Sequence, residues 1–189
     1  FALRVLDTQN LFAAQGVTAV EAVRLRDSGA SVQQIREKLE QLAHNVHGYM
    51  VTRDLYYMRA RARHKGDRSV GLISAALGSA LDIKPVLHGY RGETGPVAKI
   101  KGFDNAVQKL FDFVGQRVKA GLMTNTVCVS YGGELDDLRA LPGYASLRQT
   151  CEAHGVQLFE SVMSLTGMVN VGKGAVTVGF ADGPHTFSG

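Results

Sequence analysis

Cysteine is scarce in this 189-residue chain, which excludes a disulfide-built scaffold. Cys128 sits in an apolar, strand-like run and Cys151 in a helical one, where both read as reduced packing residues. No apolar run approaches the ~18 residues that a membrane span needs. There is no G-x-S-x-G elbow, and no cysteine has a histidine paired with it in sequence, so nucleophilic catalysis has no motif to stand on. The chain has six histidines, but none stands with Cys, Asp or Glu at a metal-ligand spacing, and all six read as isolated surface or capping residues. The run 167–174 comes near a phosphate-binding loop. However, Gly174 stands where a hydroxyl residue must follow Lys173, and residues 175–180 alternate like a strand where a helix is required. Together these absences point to a binding protein and not to an enzyme, with no cofactor and no metal.

What is present is an ordinary globular composition, 45% hydrophobic and 20% charged, with a mildly basic net charge of +4 and a pI near 9.2. The length suits one large domain or two small ones. The expectation is a cytoplasmic α/β protein with no nucleic-acid partner, because the positive charge is not interleaved with aromatic side chains. Residues 1–7 open directly as a strand with no initiator methionine, which suggests upstream sequence. The pattern predicts a helix over 17–27 ended by Gly29, then a helix from the capping box Ser31-x-x-Gln34 to Val46. A short strand, 48–52, leads into a third helix beginning at Arg53-Asp54.

Residues 59–68 carry the densest positive charge in the chain, suited to an anion or protein partner or to a solvated helix end. A helical run, 69–81, ends before Pro85, whose ring forbids its continuation and turns the chain into extended geometry. From there 83–100 reads as a hairpin and 103–118 as an amphipathic helix. Residues 126–131 read as a buried strand, 135–141 and 144–154 as helices split by Pro142-Gly143, and 156–159 as a strand. Strands and helices alternate throughout, which predicts an α/β fold with partly parallel strands.

Five strings, in order, resemble the DegV family of two-domain bacterial proteins that bind long-chain fatty acids. Leu6-Asp7-Thr8 with Gln15-Gly16 resembles the strand-to-helix turn of that family, and Tyr49 to Met58 resembles its Y-F-V-V-D-D-L-x-Y-L string. Leu77 to Leu87, with Ile83-Lys84-Pro85 at its centre, is similar to L-G-x-x-L-x-I-K-P. Val97 to Lys101 and Asn170 to Ala175 match V-x-K-V-R and H-V-G-P-G-A in place, with Asn170 for the histidine and Lys173 for the proline. The hydroxyl motifs T-S-x-P and S-G-T-Y, which hold the fatty-acid carboxylate in the family, are absent. The resemblance therefore covers the part of the family that follows them.

The resemblance implies a DegV-like two-domain architecture: 1–48 as the remainder of an N-terminal parallel-sheet α/β domain, and 49–189 as a C-terminal mixed-sheet α/β domain with the lipid tunnel. It also implies a fatty acid-binding carrier that presents its lipid to a separate ATP-binding fatty acid kinase subunit. Candidate ligand-binding residues are Asn170, Gly172, Lys173, Arg68, Ser69, Ile73 and Leu77, with Arg68 or Lys173 supplying the positive charge that Asn170 cannot. Arg61, Arg63 and Lys101 are candidate partner contacts. The competing expectation is a ligand-free DegV-like interaction domain. A dihydroxyacetone-kinase-like enzyme would need a marked histidine, and none stands out.

Overall fold

The structure, a computed structural model, describes residues 3–54 and 82–189. The expected third helix, the basic stretch 59–68 and the helical run 69–81 lie outside the described residues. With them lie Arg61, Arg63, Arg68, Ser69, Ile73 and Leu77.

Two helices, α1 (Ala13–Asp27) and α2 (Val32–Ala43), lead into β1 (Val46–Val51). The hairpin β2 (Ile83–Tyr90) and β3 (Glu93–Lys101) follows, then α3 (Phe103–Ala120) and β4 (Thr126–Tyr131). The chain continues through α4 (Leu135–Arg139), α5 (Tyr144–Ala153), β5 (Gln157–Val162), α6 (Leu165–Val171) and β6 (Val176–Ala181). The six strands form one sheet in the order β3-β2-β1-β6-β4-β5. Every neighbouring pair is antiparallel except β4 and β5, which run parallel. This is the mixed α/β architecture expected from the alternation of elements.

Local signals explain most boundaries. Ser31 closes the predicted capping box, its hydroxyl accepting from Gln34 N while the Gln34 side chain accepts from Ser31 N. Gly29 follows the α1 C-cap at φ 82, a left-handed position that favours glycine. Pro85 is tolerated in β2 because the β1 ladder ends at Val86, so among the described residues β2 has only β3 beside it at Pro85.

The two faces of the sheet differ. One is sealed by α3, α4 and α5: Val86, Tyr49, Val51, Val127, Val129, Val176, Val178 and Phe180 meet Phe103, Val107, Leu110, Phe111, Val114, Tyr144 and Leu147 in the main core. On the other face, Gly89, Gly48 and Gly179 are direct neighbours across β2, β1 and β6, and Cys128 of β4 continues the row. The first turn of α1 lies on this row. A Cβ on Gly179 would stand 2.4 Å from Ala14 Cα, and one on Gly48 2.6 Å from Asn10 Oδ1. Asn10 is anchored there, its Nδ2 donating to Val46 O at 2.9 Å and to Gly89 O at 3.1 Å.

Three expectations need correction. Residues 3–8 form no strand: Leu3 is 71% and Val5 85% exposed, and neither joins a ladder among the described residues. The first helix begins at Ala13 and not at Val17, because Gly16, a sequence breaker, sits inside it against Cys128. Finally, His47, His88 and His185 are not isolated. They stack on the sealed face with Tyr49, Tyr90 and Phe180, brought together from β1, β2 and the segment after β6.

Candidate functional site

The open face carries the candidate site. The second row of side chains on this face, beside the glycines, is Leu87, Met50, Thr177, Ser130 and Ser161, set by the strand register. Beyond it Met163, Val171 and Ala175 are buried as a small apolar cluster, with Phe12, Met50 and Met168 packed against them. Methionine thioethers are flexible and polarisable and fit irregular apolar partners. Phe12 stands between two spaces. One is a groove of about 460 Å³ between α1 and β5, lined by Gly16, Val20, Cys128, Phe159 and Met163 among others. The other is a cavity of about 40 Å³ bounded by Asn10, Met50, Leu87 and Thr177. Of these two spaces, the groove falls in the range of small-molecule sites, roughly 300–1,000 Å³. Its lining is mixed: Phe159 and Val162 stand 40% and 53% exposed beside Gln15, Glu160, Ser161 and Ser164. Burial pushes the Cys128 thiol up to about 12, so it stays protonated at neutral pH and serves as a wall of the groove.

The α6–β6 turn forms one end of this face. Ser164 caps α6 by accepting from Gly167 N at 3.1 Å. Gly172, at φ 87, ends the helix. The turn then closes on the end of β4: Gly132 N donates to Ala175 O at 2.9 Å and Gly174 N to Gly132 O at 2.8 Å. The glycines of 167–174 therefore serve a close approach of backbone to backbone. A strand follows, as the sequence predicted.

Asn170 lies on α6, half-buried, and its Nδ2 donates to Thr166 O at 2.6 Å. Lys173 is exposed and lines a third space, of about 540 Å³, with Tyr131, Gly132, Gly133 and Arg53. The structure thus brings Asn170, Gly172 and Lys173 onto one turn. Lys101 is exposed at the end of β3, its carbonyl accepting from Asn105 Nδ2.

Arg53 is the residue that sequence reasoning missed at this end. Its side chain occupies the place a Cβ on Gly174 would take, 2.6 Å from Cδ, and its guanidinium lies over the Phe103 ring at 4.1 Å. Its backbone oxygen accepts from Lys84 Nζ, which also pairs with Asp82 at 2.9 Å. The available signal was its position directly after a strand, where an α/β sheet places ligand-facing residues. Two cations, Arg53 and Lys173, therefore flank the turn, tempered by Asp104 and Asp137 on the far wall of the same space.

Fold and site together define a mixed α/β domain with one sheet face sealed by helices, a groove on the opposite face, and a cation-flanked turn at the end of the sheet beside α3 and α4. The chain belongs to the DegV family: the family model described as "Uncharacterised protein, DegV family" matches residues 1–182. A DegV domain-containing protein of Xanthomonas axonopodis pv. citri is 70% identical over 188 residues, which is 100% of this chain and 60% of that protein. One from Xanthomonas campestris pv. campestris is 69% identical over the same shares. The chain thus spans 60% of the length of these relatives. Among solved structures, DegV of Bacillus subtilis, a fatty acid binding protein, superposes with a TM-score of 0.69 at 20% identity, over 94% of this chain and 60% of that one. A DegV family protein of Eubacterium eligens loaded with heptadecanoic acid gives 0.71 at 13% identity, over 95% and 61%. At such identities the likeness is one of fold. Among the described residues no helix is long and apolar enough to cross a membrane, and no group of metal-binding side chains converges.

Proposed function

We propose that this chain is the part of a cytoplasmic fatty acid carrier that takes up a long-chain acyl group on the open sheet face and presents its carboxylate to a separate ATP-binding kinase subunit. The observation that carries the reading is the α1–β5 groove on the open face, which Phe12 separates from the smaller cavity at Met50 and Leu87, together with the α6–β6 turn at the end of the sheet that Arg53 and Lys173 flank. Apolar area taken from water holds the chain non-directionally. The two cations hold the carboxylate end by charge-assisted hydrogen bonds, with Gly172 giving close backbone approach. The fatty acids bound by structural relatives, heptadecanoic and stearic acid among them, support a fatty acid as the ligand. Arg68, Ser69, Ile73 and Leu77 complete the ligand contacts in this reading, and Arg61, Arg63 and Lys101 meet the kinase. Residues 1–48 then belong to an N-terminal domain and 49–189 to the tunnel domain, with β1 as the strand they share.

A test is displacement of a fluorescent fatty acid from delipidated protein by oleate, repeated on Arg53→Ala/Lys173→Ala. The expected result is saturable displacement by the acid, none by its methyl ester at equal concentration, and at least about tenfold weaker binding in the double variant. Equal binding of acid and ester would remove the carboxylate end from the account. Asn170 favours a second reading, a ligand-free interaction domain, because its amide is committed to Thr166 O. Failure of any fatty acid to bind would select that reading.

A further inference from the structure

The sealed face holds a device that fatty-acid binding does not use. His47 of β1 and His88 of β2 project from adjacent strands, and the segment after β6 lays His185 over them. The His47 ring is 4.1 Å from His185 and 5.2 Å from His88, centroid to centroid. His185 lies beyond the residues matched by the DegV family model, which end at 182. Two residues further on, Phe187 packs on Phe113 at 4.8 Å.

The hydrogen bonds fix where the protons sit. His47 Nε2 faces the Asp182 carbonyl oxygen at 3.2 Å, so that nitrogen carries the hydrogen, and Nδ1 is left to accept from His88 Nε2 at 3.0 Å. His185 Nδ1 faces the Gly183 oxygen at 2.8 Å and must donate, so its Nε2 accepts from the Tyr49 hydroxyl at 3.0 Å. Every bond is satisfied when all three rings are neutral. A proton added to His47 Nδ1 sets N–H against N–H unless His88 yields its own. A proton added to His185 Nε2 breaks the Tyr49 bond as it stands.

The surrounding charges do not rescue the protonated forms. Among the described residues the one carboxylate beside the stack, Asp182, is 3.7 Å from His185 Nδ1 but is already held by Arg117 of α3 at 2.6 Å and by Gly183 N at 2.7 Å. Arg117 itself repels an added positive charge. From β2, Tyr90 stacks on His47 and carries the Arg91 guanidinium on its ring at 4.9 Å. Burial lowers His47 to about 3 and His88 to about 4, and it lowers His185 as well.

We propose that residues 183–187 are a proton-sensitive latch, held across the sheet by a stack of neutral imidazoles and released by their protonation to uncover Tyr49, Phe113 and Phe180. The chain has no tryptophan, so Phe187→Trp places a single reporter on the latch. Acidifying the whole chain from neutral pH should shift that tryptophan's emission to the red before far-UV circular dichroism reports loss of the fold. Adding His185→Phe, which stacks but cannot take a proton, should lower the latch midpoint by about one pH unit. Coincident tryptophan and dichroism midpoints, an unmoved tryptophan signal, or a midpoint unaffected by His185→Phe would each overturn the latch. On the unmutated chain, imidazole and amide NMR signals give a check free of substitution. The amides of 183–187 must move with the three rings, and tail amides that stay fixed while the rings titrate would equally refute it.

Discussion

Replacing Gly179 by alanine tests how closely α1 is seated on the sheet. The new Cβ would stand 2.4 Å from Ala14 Cα, 2.5 Å from Ala14 N and 2.8 Å from Ala13 C. Carbon atoms rest at about 3.5–4.0 Å, and all three neighbours are backbone, so the first turn of α1 must rise by about 1 Å. That lift withdraws Ala13, Ala14 and Val17, now 5%, 1% and 0% exposed, from their contacts with Val46, Cys128 and Ala181. A gap of that size forfeits a quarter to a half of each contact's attraction, and overpacking of this kind costs about 3 kcal/mol. Gly48→Ala is milder, because it meets Asn10 Oδ1, the end of a side chain that can turn away. Its cost is the two hydrogen bonds of Asn10, about 1–2 kcal/mol. Gly95→Ala meets nothing within 4 Å and should be neutral or stabilising by about 0.5 kcal/mol, since alanine restricts the unfolded chain. Urea unfolding followed by far-UV circular dichroism gives all three values. If Gly179→Ala fell within about 1 kcal/mol of Gly95→Ala, the seating of α1 on the glycine row would be refuted.

Other consequences follow from the buried charges. His47 and His88 have folded-state values below the ordinary 6.5, so the unfolded chain binds protons first and stability must fall as pH drops below 6.5. At pH 5 the loss is about 2 kcal/mol for the fully buried His47 and less for the more exposed His88, and urea midpoints that agree at pH 7.5 and 5 would contradict this. Arg117→Met leaves Asp182, 5% exposed, without its cation and should cost about 3 kcal/mol. Adding Asp182→Asn should recover part of that cost, and a double variant no better than the single would argue against the pair.

Local chemistry in the sequence announced local structure. The Ser31 capping box, the apolar stripe of 103–118 and the Pro142-Gly143 break between α4 and α5 each depend on residues within a few positions of one another. The features that escaped depend on neighbours far along the chain. The 1–7 stretch has strand composition, but a strand needs a partner ladder, and composition cannot supply one. Gly48, Gly89 and Gly179 look like separate weak positions until strand register sets them side by side. The histidine stack joins residues 41 and 135 apart, His88 and Asp182, through His47. At the candidate site, likeness to a family pointed to Asn170, Gly172 and Lys173. Arg53 emerged only when Gly174 left space for its side chain.

Native mass spectrometry of the gently purified chain, before and after incubation with oleate, tests the central claim most directly. The account predicts a non-covalent one-to-one adduct of fatty-acid mass that denaturation releases and that the Arg53→Ala/Lys173→Ala variant holds less well. A 20.3 kDa species that stays bare at every oleate concentration would contradict the carrier reading and leave the interaction domain in its place.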